Sequence, residues 1–285
     1  MAVILEAIMH KTIVSNFAIG EDEPLVLLSG PCVIESEDHT LFCAEKLQKM
    51  VAPYPISFIF KASYDKANRS SIHSFRGVGI DEGLKILQKV QRELGLPVVT
   101  DVHSPEEAKV AGAICDMIQI PAFLCRQTDL LIAAGLTKAA VNVKKGQFMA
   151  PWDMKNVVEK FISVGKKELL LTDRGVSFGY NNLVSDMRTI PLLQELGFPA
   201  CFDASHSVQL PGGFGATSGG ERKFIPTLAK AAIAAGANAL FLESHPDPAN
   251  AKSDASTVFP FEHLPSFLAS LVRIYDAVRD MSYET

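Results

Sequence analysis

The chain has 285 residues, 48% of them apolar and 21% charged, which is enough apolar material for a large core and excludes intrinsic disorder. Lys plus Arg total 27 against 32 Asp plus Glu, a net charge of −5 with no Lys/Arg-rich run, so neither nucleic acid nor an anionic membrane is the expected partner. Any anionic ligand must be met by locally clustered cations. The cysteines Cys32, Cys43, Cys115, Cys125 and Cys201 are odd in number and form no CxxC pair. They indicate neither a disulfide framework nor a zinc ribbon, and they fit a reducing compartment. The apolar stretch from Met1 to Met9 is broken by Glu6 and lacks a basic leader. It reads as neither a secretory signal nor a membrane span, so a cytoplasmic protein is expected.

In chain order, Thr12–Ile19 with the following Gly20-Glu-Asp-Glu-Pro24 turn predicts a hairpin. Short apolar runs then alternate with amphipathic segments. The runs are Leu25–Ser29, Ile56–Phe60, Pro97–Thr100, Met117–Ile120, Ala139–Val143, Leu169–Thr172, Pro199–Phe202 and Ala239–Leu242. They are too short for helices and nearly continuous in apolar character, as strands covered on both faces are. Between them the period becomes helical: Leu84, Leu87, Val90 and Leu94 within Asp81–Leu94, then Met154, Val157, Val158, Phe161 and Ile162 within Pro151–Val164. A last helix is predicted over Pro265–Asp280, and Gly95, Gly165 and Gly197 mark helix exits. Eight strand–helix units in this length predict an α/β fold, a closed (β/α)₈ TIM barrel forming a single domain over residues 1–285. The first 24 residues form an extension whose hairpin caps the barrel bottom. An open doubly wound sheet is the rival, but no dinucleotide fingerprint supports it. The nearest candidate, Gly77-Val-Gly79-Ile-Asp-Glu-Gly83, has its third glycine one residue late.

A barrel places its chemistry where strands end and βα loops begin. Those ends are rich in functional groups: Cys32 and Glu35 after the first strand, then Lys61, Lys66, Asn68, Arg69 and Ser70 after the second. Asp101 and His103 follow the third, Gln119 and Ala122 the fourth, and Lys144 and Lys145 the fifth. Asp173 and Arg174 follow the sixth, Asp203 and His206 the seventh, and Glu243 and His245 the eighth. The opposite ends are mostly Gly, Pro, Ala or Leu. Lys61, Lys66, Arg69, Lys144 and Arg174 would repel one another over one mouth unless an anion neutralised them. Phosphate and carboxylate suit them, and two anionic substrates explain their number better than one. Taken singly, each also reads as a solvated loop charge.

Barrel closure sets the eighth strand between the first and the seventh, which brings Cys32, His206 and Glu243 together, with Asp254 on the last long loop. Thiolate, imidazole and carboxylate form a mixed set suited to Zn²⁺, Fe²⁺ or Mn²⁺. The same spacing is equally that of a small buried cysteine and a hydrogen-bonded core histidine. Cys43, Cys115, Cys125 and Cys201 read as core. His10, His39, His73 and His263 have no constellation around them in the sequence. The glycine-rich run Leu210–Arg222 reads as a disordered linker or an active-site lid, and its position directly after the seventh strand's active-site end favours the lid.

Several segments carry a family resemblance: Gly30-Pro-Cys-Val-Ile-Glu-Ser36, Lys61-Ala-Ser-Tyr-Asp-Lys-Ala-Asn-Arg-Ser-Ser71, Gln119-Ile-Pro-Ala-Phe123, Asn142-Val-Lys-Lys145, Asp173-Arg-Gly175 and Phe202-Asp-Ala-Ser-His206. Together, from about Leu25 to Pro260, they resemble the 3-deoxy-D-manno-octulosonate 8-phosphate synthases. The resemblance implies a transferase that condenses phosphoenolpyruvate with D-arabinose 5-phosphate and water, releasing phosphate, on the route to lipopolysaccharide. It implies that Lys61, Lys66, Gln119, Ala122, Lys144 and Arg174 hold phosphoenolpyruvate and that Asn68, Arg69 and Ser70 hold the sugar phosphate. It also implies a homotetramer in which Arg126 reaches a neighbouring site. Cys32 in place of Asn, with Ser253-Asp254-Ala-Ser256, resembles the metal-dependent branch, with Cys32, His206, Glu243 and Asp254 as ligands. Lys66, Asp101 and His206 are the candidate catalytic groups. Tyr64 departs from the family's Phe. The related heptulosonate-forming synthases, which use erythrose 4-phosphate, differ in the Lys-Ala-Asn-Arg-Ser-Ser segment. A Schiff-base aldolase working through Lys61 or Lys144 and a non-catalytic phosphosugar-binding barrel are the other readings.

Overall fold

The computed structural model describes residues 9–69, 71–212 and 219–279. Eight parallel strands form the barrel: β1 (Leu25–Gly30), β2 (Ile56–Lys61), β3 (Val98–Asp101), β4 (Met117–Ile120), β5 (Ala140–Lys144), β6 (Leu169–Asp173), β7 (Ala200–Asp203) and β8 (Ala239–His245). Each pairs with its neighbours in sequence, and β8 closes the ring by pairing with both β7 and β1. Each strand is followed by its helix: α1 (Glu37–Val51), α2 (Ile80–Leu94), α3 (Pro105–Ala111), α4 (Thr128–Gly135), α5 (Met154–Ile162), α6 (Thr189–Gln194), α7 (Ile225–Ala234) and α8 (Leu264–Arg279). Gly95, Gly165 and Gly197, read from the sequence as helix exits, all take positive φ. None of the helices among the described residues is long and apolar enough to cross a membrane.

The two-residue period of each strand sorts its side chains into two cores. Outward residues such as Leu25, Leu27, Phe60, Val141, Leu171 and Phe202 pack under the helices. Inward residues change character with height. Toward the N-terminal mouth they are apolar: Val26, Leu28, Ile59, Val99, Met117, Leu170 and Phe241. Higher up, the same inward rows carry Lys61, Asp101, Gln119, Asn142, Lys144, Thr172, Asp203 and Glu243, all buried. A barrel interior is a packed core rather than a pore, so these polar groups must satisfy one another or a ligand.

The N-terminal hairpin stoppers the apolar end. Its strands, Thr12–Val14 and Phe17–Ile19, pair antiparallel, and Val14 and Ile19 complete the inner apolar cluster. The Thr12 hydroxyl donates to the Leu169 carbonyl at the start of β6. The chain reverses at Ser15-Asn16, with Ser15 at φ 51°, so the expected Gly20–Pro24 turn does not close the hairpin but leads into β1. The predicted Pro151–Val164 helix begins with a tighter 3₁₀ turn, Pro151–Asp153, before α5.

Candidate active site

At the C-terminal mouth the loops enclose a cavity of about 520 Å³. Lys61, Lys66, Asn68, Arg69, Asp101, Gln119, Ala122, Lys144, Arg174, His206, Glu243 and Asp254 all line it. The sequence-predicted residues therefore converge, with three exceptions. Cys32 lies just beneath the wall. Arg126 is exposed and off the cavity wall. Ser70 falls outside the described residues, as do residues 213–218 of the predicted lid, whose flanks Gln209–Leu210 and Gly219–Gly220 pair as short strands.

The cations do not face one another bare; carboxylates are interleaved between them. Lys61 Nζ lies 2.7 Å from Glu243 Oε1 and donates to the Cys32 carbonyl at 3.0 Å. Lys66 Nζ sits 3.3 Å from Asp101 Oδ2, 3.7 Å from Glu243 Oε1 and 3.0 Å from Ser63 Oγ. Lys144 Nζ donates to Asp203 Oδ2 at 2.6 Å and stands 3.5 Å above the centroid of Phe241, a cation–π contact on the apolar floor. Arg174 differs. Its NH2 group donates to the His206 carbonyl and Gln209 Oε1, but its Nε is buried without a hydrogen-bond partner among the described residues. An unpaired buried guanidinium edge costs free energy until an anion fills it. Arg69 reaches across the mouth to the Ser253 hydroxyl.

These contacts set the ionisation. Burial opposes charge on Asp101, but Lys66, Lys61 and Lys144 outweigh it and hold the carboxyl below its usual range. Lys66 is likewise pushed down by burial and, on balance, raised by the acidic groups around it, Cys32 and Asp101 foremost and then Glu243 and Asp254. Burial lowers Lys144 despite Asp203.

The second half of the site is a donor cluster. Ligand atoms of Cys32, Glu243 and Asp254 lie within 4.8 Å of one another. His206 Nε2 is 3.6 Å from Glu243 Oε2 and 3.5 Å from Asp254 Oδ2. Its other nitrogen, Nδ1, bonds Asp203 Oδ2 at 2.7 Å, and Asp203 Oδ1 accepts the His206 backbone N–H at 2.9 Å. Asp203 thus fixes the ring so that Nε2 faces the carboxylates. Burial disfavours the charged imidazole, but Asp203 and Glu243 raise its pKa overall. Asp254 stands in the left-handed region, φ 49°, a conformation that Asp tolerates better than most residues and that a site residue can justify. Glu243 Oε2 is buried with no hydrogen-bond partner among the described residues. An orphaned carboxylate oxygen among a thiol, an imidazole nitrogen and a second carboxylate fits a divalent transition metal in both charge and softness.

Comparison with known proteins adds the lineage. The sequence matches the DAHP synthetase I family over residues 7–279. The chain belongs to that family. A relative from Protochlamydia amoebophila, named 2-dehydro-3-deoxyphosphooctonate aldolase, is 61% identical over 271 residues, covering 95% of this chain and 98% of the relative. Proteins of the same name from Geobacter sulfurreducens and Rickettsia rickettsii are 55% identical over 265 residues and 53% identical over 271. They cover 93% and 95% of this chain, and 97% and 98% of their own lengths.

Three features of this DAHP synthetase I family member escaped the sequence reading. Asp203 stands at the end of the seventh strand without an assigned role, although its i, i+3 spacing to His206 at a strand end was the available signal. Ser63, bonded to both Asp101 and Lys66, gave none. His39, read as having no constellation, has one: its ring centroid lies 4.9 Å from that of His245, with Glu35 and Cys43 alongside. That cluster resembles a second metal site, but its protons argue otherwise. The Asp247 backbone N–H donates to His245 Nδ1 at 3.0 Å, so the neutral ring carries its proton on Nε2, 3.3 Å from Glu35 Oε1. Glu35 Oε1 accepts its hydrogen bond from the Lys252 backbone N–H instead, tying down the loop that carries Asp254. Tyr64, expected from the sequence to depart from a family Phe, is buried and donates its hydroxyl to Glu107 Oε2 at 2.6 Å.

Proposed function

We propose that the chain condenses phosphoenolpyruvate with D-arabinose 5-phosphate and water to 3-deoxy-D-manno-octulosonate 8-phosphate and inorganic phosphate. The observation that carries this reading is the union, in one mouth, of buried cations around the open Arg174 edge with the Cys32–His206–Glu243–Asp254 donor set. The names of relatives more than half identical along nearly the whole chain support it. In this reading Lys61, Lys144, Arg174, Gln119 and the backbone at Ala122 hold the phosphate and carboxylate of phosphoenolpyruvate. Asn68, Arg69 and Ser70 hold the phosphate of the sugar. Arg126, exposed on this chain, serves the site of a neighbouring subunit in a homotetramer.

The chemistry then follows from positioning. Two bound anions bring the methylene carbon of the enol phosphate against the aldehyde carbon, converting a bimolecular encounter into an oriented one. As the carbon–carbon bond forms, the aldehyde oxygen gains charge, and the Lys66 ammonium, kept cationic by Asp101 and Glu243, donates to it. Water oxygen adds to carbon 2, and cleavage of the carbon 2–oxygen bond to phosphate leaves that carbon as the ketone; one water proton ends on the new hydroxyl and the other leaves with phosphate, which Arg174 and Lys144 receive. Cys32, His206 Nε2, Glu243 and Asp254 would hold a divalent ion, Zn²⁺, Fe²⁺ or Mn²⁺, whose contribution when bound is Lewis acidity beside the reacting carbonyl. Asp203 keeps His206 Nε2 directed at that position, as a carboxylate behind a ligating histidine does.

Phosphate release from phosphoenolpyruvate, measured in parallel with D-arabinose 5-phosphate and with erythrose 4-phosphate, tests the assignment. Turnover with the five-carbon aldose and little with the four-carbon one is the expected result. The reverse preference would place the chain with the heptulosonate-forming synthases.

A further inference from the structure

Inside the barrel, one row of polar side chains runs sideways across four strands and ends at the cavity. It links Thr172 on β6, Asn142 on β5, Gln119 on β4 and Asp101 at the end of β3. Each of the first three is at most 1% exposed. Thr172 Oγ1 donates to Asn142 Oδ1 at 2.5 Å, Asn142 Nδ2 donates to Gln119 Oε1 at 2.9 Å, and Gln119 Nε2 donates to Asp101 Oδ1.

The sense of this chain is forced by valence and does not depend on how any amide was oriented. Asp101 lies beside the Lys66 ammonium and offers only acceptors, so Gln119 must turn its NH₂ toward it. That leaves the Gln119 carbonyl facing Asn142, which must therefore donate. The Asn142 carbonyl in turn faces Thr172, whose hydroxyl is the one group in the row able to donate and close the sequence. Reversing either amide would set carbonyl against carbonyl, or carbonyl against carboxylate, among buried groups. Gln119 lines the cavity, whereas Asn142 and Thr172 do not. One hydrogen on Gln119 Nε2 is taken by Asp101, and the other has no protein partner among the described residues.

We propose that Asn142 and Thr172 are positioning residues for the reaction. Together with Asp101, which takes one N–H, they hold the carbonyl end of the Gln119 amide so that its other N–H, and not a carbonyl oxygen, faces the substrate anion. This inference rests on the reading above that Gln119 contacts phosphoenolpyruvate. It assigns the second hold on that contact, at the carbonyl end of the amide, to two side chains that never touch substrate.

The test is phosphoenolpyruvate binding by calorimetry to the Mn²⁺-loaded enzyme, with steady-state KM for each substrate. Thr172→Val, which keeps the shape and removes the hydroxyl, and Asn142→Leu are each expected to weaken phosphoenolpyruvate binding roughly 5- to 10-fold, as loss of one oriented hydrogen bond does. KM for the aldose should stay within about twofold, and Thr172→Ser should bind as wild type. In a Gln119→Leu background, Asn142→Leu should change the affinity by less than about twofold, because its effect passes through that amide. Additive losses in the double variant, or equal losses for both substrates, would overturn the inference while leaving the substrate assignment intact. Failure of the wild type to bind phosphoenolpyruvate would instead overturn the assignment itself, and this inference with it.

Discussion

Asp203→Asn is the sharpest single perturbation of the donor cluster, because Asp203 touches no substrate atom in the proposed arrangement yet holds two groups that do the binding. It accepts from Lys144 Nζ at 2.6 Å through the same oxygen that bonds His206 Nδ1 at 2.7 Å. An amide that keeps its oxygen on both turns its NH₂ against the His206 backbone N–H that Oδ1 accepts, and it leaves Lys144 without its nearest counter-charge. Breaking a buried ion pair by removing one partner costs about 3–5 kcal/mol. Loss of the carboxylate behind a ligating histidine lowers metal affinity by about 10–100-fold, which is about 1.4–2.7 kcal/mol. Mn²⁺ binding to chelator-stripped protein, followed by the electron paramagnetic resonance signal of the free ion, reads the second quantity, and thermal melting reads the first. The expected outcome is a folded variant with a lowered melting temperature and a Kd for Mn²⁺ at least tenfold weaker. Wild-type Mn²⁺ affinity in a variant that melts early would refute the idea that Asp203 aims His206 at a metal.

Three further outcomes follow from other parts of the molecule. Gly30→Ala should abolish soluble folded protein, since a Cβ there would lie 2.1 Å from the Lys61 carbonyl oxygen, where β1 and β2 meet under the site; normal yield and melting would contradict that packing. Ile19→Ala, in the hairpin that stoppers the opposite mouth, should cost about 2–5 kcal/mol on denaturant unfolding while leaving both KM values unchanged. A changed KM would show that the hairpin communicates with the site. Burial raises the thiols of Cys32 and Cys125 and pushes those of Cys43, Cys115 and Cys201 up to about 12, so at pH 8 the reactive thiolate is scarce in the native state. An aromatic disulfide reagent should therefore label the stripped native protein slowly at pH 8, faster as pH rises, and all five thiols at once after unfolding. A rapidly labelled native cysteine at pH 7 would contradict the burial.

The barrel was legible because its signals are local. Each apolar run is one strand, and the residues at or just beyond its C-terminal end, Lys61, Asp101, Lys144, Arg174 and Glu243 among them, are those that reach the mouth. The hairpin was legible as an element but not its reversal point, because Ser15-Asn16 competes with a stronger turn composition at Gly20–Pro24. What stayed hidden depends on the stagger of neighbouring strands. The row from Thr172 through Asn142 and Gln119 to Asp101 spans sequence separations of 30, 23 and 18 residues and exists only once the barrel closes. The same holds for His39, whose partner His245 lies on the last strand and becomes its neighbour only because β8 pairs with β1. The interleaving of carboxylates among the lysines is a third case. From sequence the cations demanded an external anion, whereas Glu243, Asp101 and Asp203 meet the lysines and leave Arg174 as the open edge.

The central claim is that the cationic half and the donor half of this mouth act as one site. Phosphate release from phosphoenolpyruvate and D-arabinose 5-phosphate, measured on chelator-stripped enzyme with and without added Mn²⁺, tests it most directly. No release is expected until the ion is restored. Equal release in the continued presence of chelator, retained after Cys32→Asn, would contradict it and leave Cys32, His206, Glu243 and Asp254 a positioning role alone.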